Sequence, residues 1–564
     1  MTRSEVLRAQ QKTDGQRKAF LNHLGAAGMV GALMLLAETA QAQQTINPAT
    51  TVEQLNAQRV QELATPPKQT GPVVISPEAT RGSIVQPGGP SVRLVGVEFT
   101  KSDFLTQADL DVILANYVGK QIDFSQIQTL VQDVNDLYTA KGVITASAVL
   151  PPQTLDRGIL KVQLVEGKLA SVAIGGNKKV PDSFVLERVR LTRGEDTVDV
   201  PSAATDITSF NQIYNAQLRM SLQPGANFGT TDLVLALTEP KTNQLSFFLD
   251  NQGVESTGQY QLGTFFHSYS LLTPDDNLLV FGTIAEGSFS GTLSYDAPIL
   301  RNGTRLSATY SGSRIEVIDG PTEPLNIEGN SQSFSGTLTY PHFISSKWAV
   351  FGVAGASYGV SESTSNGTSL VDSTTTKYSL GIDVSYSNQN MAFSISPHVT
   401  YAVSEDALEP STRNVTLFTG SFNGTYLFDN GVALTANGAW QLTHEKLLPG
   451  DMLFQVGGPS TVRGFPSDAA SGDTGYFGQF EAHKSVDVNI DGLANGIDVY
   501  GFVDMGAVYS TFPEEVFLMS AGVGMTYPLS DKVTLELGVG IPLVNAVSNQ
   551  DSATLYARVT AVTF

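Results

Sequence analysis

From Lys241 to Phe564 helical periodicity falls away, and alternating runs of apolar and polar residues take over, broken by Asn-Gly, Asp-Asn and Ser/Thr/Gly clusters. The cleanest run is Val533-Thr534-Leu535-Glu536-Leu537-Gly538-Val539-Gly540-Ile541, with odd positions apolar and even positions polar or glycine. Leu306, Ala308 and Tyr310 alternate in the same way with Ser307, Thr309 and Ser311. Soluble sandwiches alternate too, so the pattern establishes strands before it establishes their surroundings. A membrane barrel is favoured because the array is unbroken and far larger than a sandwich domain. Tyr295, Tyr340 and Tyr527 each precede a proline by one to three residues, as an interfacial girdle beside short turns would. The chain stops on Phe564, at the end of a strand-like run from Ala553. Roughly 320 residues, at about 10 per strand plus connections, hold about 16 antiparallel strands. The last run alternates poorly, since Arg558 shares its parity with Val562 and Phe564.

A membrane barrel needs an export route, and the N-terminus offers one. Arg3, Arg8, Lys12, Arg17 and Lys18 precede an apolar run over 24–37, then Ala40-Gln41-Ala42 with small residues where a signal peptidase reads. The run is short and glycine-rich for a spanning anchor, so residues 1–42 read as a cleaved signal peptide. No later stretch approaches 18 uninterrupted apolar residues. The formal net charge of −21 argues against a general nucleic-acid-binding surface. The absence of cysteine excludes disulfides, thiolate metal sites and a cysteine nucleophile. With 53 glycines, 18 tyrosines and 28 phenylalanines and only 15% charged residues, the composition is that of a β-rich protein.

Residues 48–63 read as a short helix, with Thr50 or Thr51 as cap and Glu53 in the first turn. Val52, Leu55, Val60 and Leu63 give it a thin apolar stripe. A proline-rich tether follows to residue 90, extended and unable to hold a helix or central strand. A helix on such a tether can swing between two places; a disordered leader with chance periodicity reads equally well. Two segments of similar design come next, at 92–167 and 168–240. The first has a strand pattern over 92–99, a helix with Thr106 as cap, a helix over 124–140 ended by Gly142, and strand runs at 144–150 and 158–165. The second repeats the order, with a strand at 170–174, helices around 183–189 and 205–221, and a strand at 232–238. Each is a small α+β layer with exposed sheet edges, and such an edge can accept an extended peptide as an added strand.

Several local stretches, in order, resemble one family. They are Leu150-Pro151-Pro152-Gln153-Thr154-Leu155-Asp156-Arg157-Gly158-Ile159-Leu160 with Val165-Glu166-Gly167; Asp250-Asn251-Gln252-Gly253 with Thr257-Gly258; Val462-Arg463-Gly464-Phe465; Phe502-Val503-Asp504-Met505-Gly506; and Leu518-Met519-Ser520-Ala521-Gly522-Val523-Gly524. Each is weak alone, but their order and spacing over 92–564 are specific. The chain resembles the outer-membrane transporter of two-partner secretion, the exporter of haemolysins and filamentous adhesins, within the Omp85 superfamily. The resemblance implies two periplasmic POTRA domains at 92–167 and 168–240, a 16-stranded barrel over 241–564, and a plug helix within 43–91. It matches the family's loop arginine to Arg463 and its strand carboxylate to Asp504. Phe465 stands where the family often has tyrosine, keeping the ring and losing a hydroxyl.

Elementary electrostatics independently favours a pair between Arg463 and Asp504. Arginine presents a planar fork of donors that fits a carboxylate in two parallel bonds. Either charge is costly facing lipid, whereas both can pair in a lumen. The expectation is a lumen clasp of Arg463 with Asp504, carried by loop residues Val462, Gly464 and Phe465 and strand residues Phe502 and Gly506. Alternation puts Asp504 on the face of Phe502 and Tyr500 and leaves open which face is inside.

No catalytic residue is assigned. Gly355-Ala356-Ser357-Tyr358-Gly359 fits a G-x-S-x-G elbow by letters, but the serine lies in an alternating run with no helix pattern after it. His267, His342, His398, His444 and His483 are scattered, without a pair spaced for metal, and no phosphate-binding glycine loop is present. Neither metal nor cofactor is expected. The expected function is an outer-membrane protein translocase of a Gram-negative bacterium. Its POTRA domains, in the periplasm, capture an unfolded exoprotein that carries an N-terminal secretion domain, and the chain passes through a monomeric barrel in the bilayer. With no nucleotide site, folding of the passenger outside supplies the drive. The alternatives are an Omp85-type assembly factor, which usually carries more POTRA domains, and a passive porin-like channel, which needs nothing from 92–240.

Overall fold

The computed structural model describes residues 48–64, 74–75, 91–154, 156–408, 410–467, 469–487, 496–509, 515–547 and 550–563. The signal peptide expected at 1–42, most of the proline-rich tether and Phe564 lie outside the described residues.

The alternating region closes into a single antiparallel barrel of sixteen strands. In order they are Asn243–Asp250 (β1), Gln261–Tyr269 (β2), Asn277–Ala285 (β3), Ser288–Pro298 (β4), Arg305–Glu316 (β5), Ile327–Ile344 (β6), Trp348–Ser365 (β7) and Thr368–Ser387 (β8). Then come Met391–Asp406 (β9), Ser411–Leu427 (β10), Val432–Leu442 (β11), Thr474–Val486 (β12), Ile497–Tyr509 (β13), Val516–Ser530 (β14), Val533–Pro542 (β15) and Thr554–Val562 (β16). β1 pairs with β16 from Ser246↔Val562 to Asp250↔Arg558, so no barrel edge is left unpaired in a solvent that cannot satisfy it. The alternation sorts the faces: Leu306 and Tyr310 on β5 point outward and are about half exposed, while Ser311 and Ser313 are buried inward. On β15, Ile541 points outward and Gly540 inward, against the loop described below. The poor alternation of β16 has a specific cause: Arg558 faces the lumen, its Nε 2.9 Å from Asp250 Oδ2. Tyr340 is about half exposed at its strand end as a girdle residue would be, but Tyr527 is buried.

The first α+β module builds strands 96–99, 159–166 and 146–149 into a sheet covered by helices Gln107–Leu114 (α2) and Phe124–Ala140 (α3); helix α1 is Pro48–Ala64. Thr106 caps α2 reciprocally, its hydroxyl accepting from Asp109 N–H while the Asp109 carboxylate accepts from Thr106 N–H. Ile127, Leu130, Val134 and Tyr138 form the buried stripe of α3, at the spacing of one helical face.

The second module orders its sheet as 74–75, 217–224, 230–238, 168–175, 197–198 and 192–193, with helices Asp182–Leu186 (α4) and Val200–Ile213 (α5). Here the expected helix over 205–221 is corrected: α5 ends at Ile213 and a strand begins at Gln217. Asp199 caps α5 with proline in its first turn, and Leu218, Met220 and Leu222 bury at a period of two, the period of a strand. Val74–Ile75 pairs in parallel with Met220–Ser221 on the outer edge of this sheet.

A buried carboxylate joins this module to the barrel. Asp275, in the turn between β2 and β3, accepts from the backbone N–H groups of Asn215 (3.0 Å) and Ala216 (3.1 Å) and from Tyr269 Oη (3.1 Å). Arg305 Nη1 lies 2.9 Å from the same carboxylate. Tyr269, the last residue of β2, is itself part of the module's apolar core.

Candidate functional site in the barrel lumen

The segment between β11 and β12, residues 443–473, turns back into the barrel. Its two ends are tied by Asp473, whose carboxylate accepts from Leu447 N–H (2.9 Å) and Leu448 N–H (2.8 Å). From β11, Gln441 Nε2 donates to the carbonyls of Met452 (2.7 Å) and Asp473 (3.0 Å). Strands 454–456 and 470–472 pair as a small hairpin above the tip. The tip is stiffened by Thr461, whose Oγ1 accepts from Gly457 N–H and donates to Gly457 O, both at 2.7 Å.

At the tip Arg463 meets the wall. Its Nε and Nη2 donate to the two oxygens of Asp504 at 2.7 Å each, and its backbone N–H donates to Oδ2 at 3.0 Å. The remaining arm, Nη1, lies 2.5 Å from Glu481 Oε1 on β12. The guanidinium carbon sits 3.6 Å over the Phe502 ring, a cation–π contact that also shields the pair from water. Asp504 is fully buried. The structure therefore brings Arg463, Asp504 and Phe502 together on the lumen side of β13 and answers which face is inside.

The other motif residues serve the same fit. Val462 and Phe465 are buried with Val456, Phe477, Val508 and Leu518. The Phe465 ring is 1% exposed in this apolar cluster, where a tyrosine hydroxyl would need a partner. Gly464 has φ +90 and its N–H donates to Tyr556 Oη at 2.7 Å. A Cβ on Gly506 would lie 2.9 Å from Val462 Cγ2, so the strand glycine makes room for the loop.

Sequence reasoning missed Glu481, His483, Asp498 and Tyr556. His483 Nδ1 lies 2.7 Å from Asp498 Oδ2 and its Nε2 lies 2.8 Å from Glu481 Oε2, giving a run Asp498–His483–Glu481–Arg463–Asp504. Inward parity of β12 would have singled out Glu481 and His483, once the lumen face was known. Ser357 lies within β7, paired with Ser335, in a strand and not at an elbow.

Helix α1 occupies the lumen beside the loop. Ala49, Val52 and Leu55 pack with Val254, Ile315 and Val317. The helix begins at Pro48, so the expected caps Thr50 and Thr51 lie within it, and Glu53 lies past its first turn. Glu53 instead takes hydrogen bonds from the Ser331 and Ser333 hydroxyls of β6. Asn56 Nδ2 donates to Ser290 Oγ (2.5 Å), Arg59 Nη2 to Gln252 O (2.8 Å), and Gln455 Nε2 of the loop to Thr51 Oγ1 (3.1 Å). The helix does not fill the lumen: a cavity of about 350 Å³ remains beside it, lined by Leu55, Lys377, Thr400, Gln441 and Phe454.

A closed barrel with two α+β modules at one mouth, a helix in its lumen and a loop arginine clasped to its wall defines an outer-membrane transporter barrel of the Omp85 type, its modules in the periplasm. Residues 229–527 match the haemolysin secretion/activation protein ShlB/FhaC/HecB, and residues 92–167 match the POTRA domain, ShlB-type. The chain belongs to this family of two-partner secretion transporters. It is similar to the heme/hemopexin transporter protein HuxB of Haemophilus influenzae (strain 86-028NP), 22% identical over 472 residues, covering 78% of this chain and 82% of the relative. It is also similar to the outer membrane transporter CdiB of Dickeya dadantii (strain 3937), 24% identical over 485 residues, covering 80% and 84%. Among solved structures, CdiB from Escherichia coli superposes with a TM-score of 0.66 at 19% identity, covering 91% of this chain and 98% of that one.

Proposed function

We propose that this transporter exports one large exoprotein that carries an N-terminal secretion domain, and that a single barrel acts as the pore. The periplasmic modules at 92–167 and 168–240 capture the passenger unfolded, as a strand added to a sheet edge. Pairing of Val74–Ile75 with the 217–224 edge supports this, since an extended segment already fits there. Helix α1 closes the pore at rest, and the clasp of Arg463 to Asp504 and Glu481 holds the loop so that the lumen keeps one shape. Folding of the passenger outside makes its passage irreversible.

The observation that carries this reading is helix α1 seated in the lumen by side-chain hydrogen bonds with the wall. The test is secretion of a co-expressed exoprotein carrying such an N-terminal secretion domain, in cells with the intact protein or one lacking residues 92–240. Export by the intact protein and none by the deletion, at equal barrel levels, supports the reading. Equal export sinks it.

A further inference from the structure

The inner wall of the barrel has two unlike halves. On one side Thr283, Ser290, Ser313, Ser331, Ser361 and Ser373 lie side by side across β3–β8, each directly paired with the next. Nearer the periplasm Ser294, Thr309, Ser335 and Ser357 form a second such row across β4–β7. On β4–β7, inward positions from Ser294, Ser307, Ser335 and Ser357 up to the extracellular ends carry no ionisable side chain. The facing half, β12–β16, presents Glu481, His483, Asp498, Asp504, Glu536 and Arg558, linked by ion pairs.

Helix α1 rests on the hydroxyl half, and one of its contacts is independent of sequence: Ser313 Oγ donates to the main-chain carbonyl of Ala49 at 2.6 Å. We propose that this hydroxyl wall is the track along which the extended exoprotein moves, and that helix α1 and the moving chain compete for its upper part. The proposal rests on the translocase reading above. A serine or threonine hydroxyl rotates and can both donate and accept, so it can serve the N–H or the C=O of any residue that passes. Within β4–β7 this stretch carries no charge of its own, and the charges at its margin, Lys377 beside Ser357 and Asp296 beside Ser307, are already held in ion pairs with Asp451 and Arg305. It therefore holds neither acidic nor basic stretches back, and water competes for every bond, so no single register is favoured. The charged half would instead retain stretches of opposite sign, and any group captured there would disturb the clasp. The second row continues the α1 seat towards the periplasmic mouth, where a captured chain arrives.

The absence of native cysteine permits a direct test on the full chain. The co-expressed exoprotein is fused to a fast-folding C-terminal domain that halts it in transit, with single cysteines along the halted stretch. Single cysteines replace Ser294, Ser335 or Ser357 on the track, or Thr526 or Thr534 on the facing wall. Proximity should make disulfide yields about fivefold or more higher at the track positions. Equal yields on the two walls, or an excess at Thr526 and Thr534, would overturn the track while leaving translocation standing. Lack of export by the unmodified pair would overturn the translocase reading itself, and the track with it. Introducing charge as S335E with S357E should also slow export of the unhalted exoprotein at unchanged barrel levels; unchanged export overturns the track.

Discussion

The carboxylate of Asp504 receives three hydrogen bonds from one residue, two from the guanidinium of Arg463 and one from its backbone N–H. The side chain thus fixes the path of the loop backbone as well as its own charge. Removing one partner leaves the other charge buried, at a cost of about 3–5 kcal/mol where water is excluded. Arg463→Lys keeps the charge but cannot span both Asp504 oxygens and Glu481. We expect R463K and D504N each to raise labelling of a cysteine at Ser460 by on the order of tenfold or more, and the double variant to add little, because both break one unit. Unchanged labelling in either single variant would remove the clasp.

Gly464 and Gly540 bring the loop tip and β15 into backbone contact. A Cβ on Gly540 would stand 2.7 Å from Gly464 N, with backbone atoms unable to give way as a flexible side chain would. Gly540→Ala should therefore displace the tip while leaving every charged partner in place. The same cysteine at Ser460 reads it: increased labelling with normal barrel assembly is expected, and protection equal to the parent would show that the strand yields instead.

Helix α1 is held by an apolar contact as well as by hydroxyls. Val52 and Leu55 are buried against β5 and the segment after β1. Leu55→Asp places an unpaired charge there, a cost of several kcal/mol for that seat. The helix should leave, and single-channel conductance in planar bilayers should rise with a larger open fraction. Conductance indistinguishable from the parent would mean that α1 does not limit the pore.

How much of this was legible depended on the range of the interaction. The strands were legible because alternation is local, and so was Thr106 as a cap, whereas its reciprocal partner Asp109 came only with the structure. Arg463 and Asp504 were legible as a pair through their motifs. Glu481 was not, because its place beside Arg463 depends on the β12–β13 register, Glu481↔Phe502 and Gln479↔Asp504, which no local pattern states. The overshoot of the helix past Ile213 has the same origin. Residues 214–221 keep apolar spacing compatible with a helix, but Asp275, some 60 positions on, takes the Asn215 and Ala216 N–H groups that a continuing helix would use.

That contact makes Asp275 the hinge of the module on the barrel. Asp275→Ala would leave the backbone donors of Asn215 and Ala216 without their acceptor, while Arg305 keeps its pair with Asp296, destabilising the docked arrangement by about 1–3 kcal/mol. Amide exchange at Asn215 and Ala216 should accelerate while exchange in α3, in the other module, stays at the parent rate. Slow exchange at Asn215 and Ala216 in the variant would count against the hinge.

The first module carries a pH dependence whose sign can be worked out. The Lys141 ammonium, hydrogen-bonded to Asp109 at 2.8 Å, holds that carboxyl down to about 2, helped by the backbone N–H and hydroxyl of Thr106. In the unfolded chain the group has its ordinary value of 3.8. Folding therefore lowers the affinity for this proton. The resulting stability is fully present above 3.8 and is lost as pH falls through about 2. Asp109 links the start of α2 to Lys141 at the end of α3, so its loss should be felt in both helices. We expect Asp109→Asn to speed amide exchange in α2 and α3 at neutral pH, after correction for intrinsic rates. The difference from the parent should shrink towards pH 2, where about half of the parent carboxyl is protonated as well. A difference that stayed constant from neutral pH to pH 2 would mean that the capping hydrogen bonds, and not the charge, carry the effect.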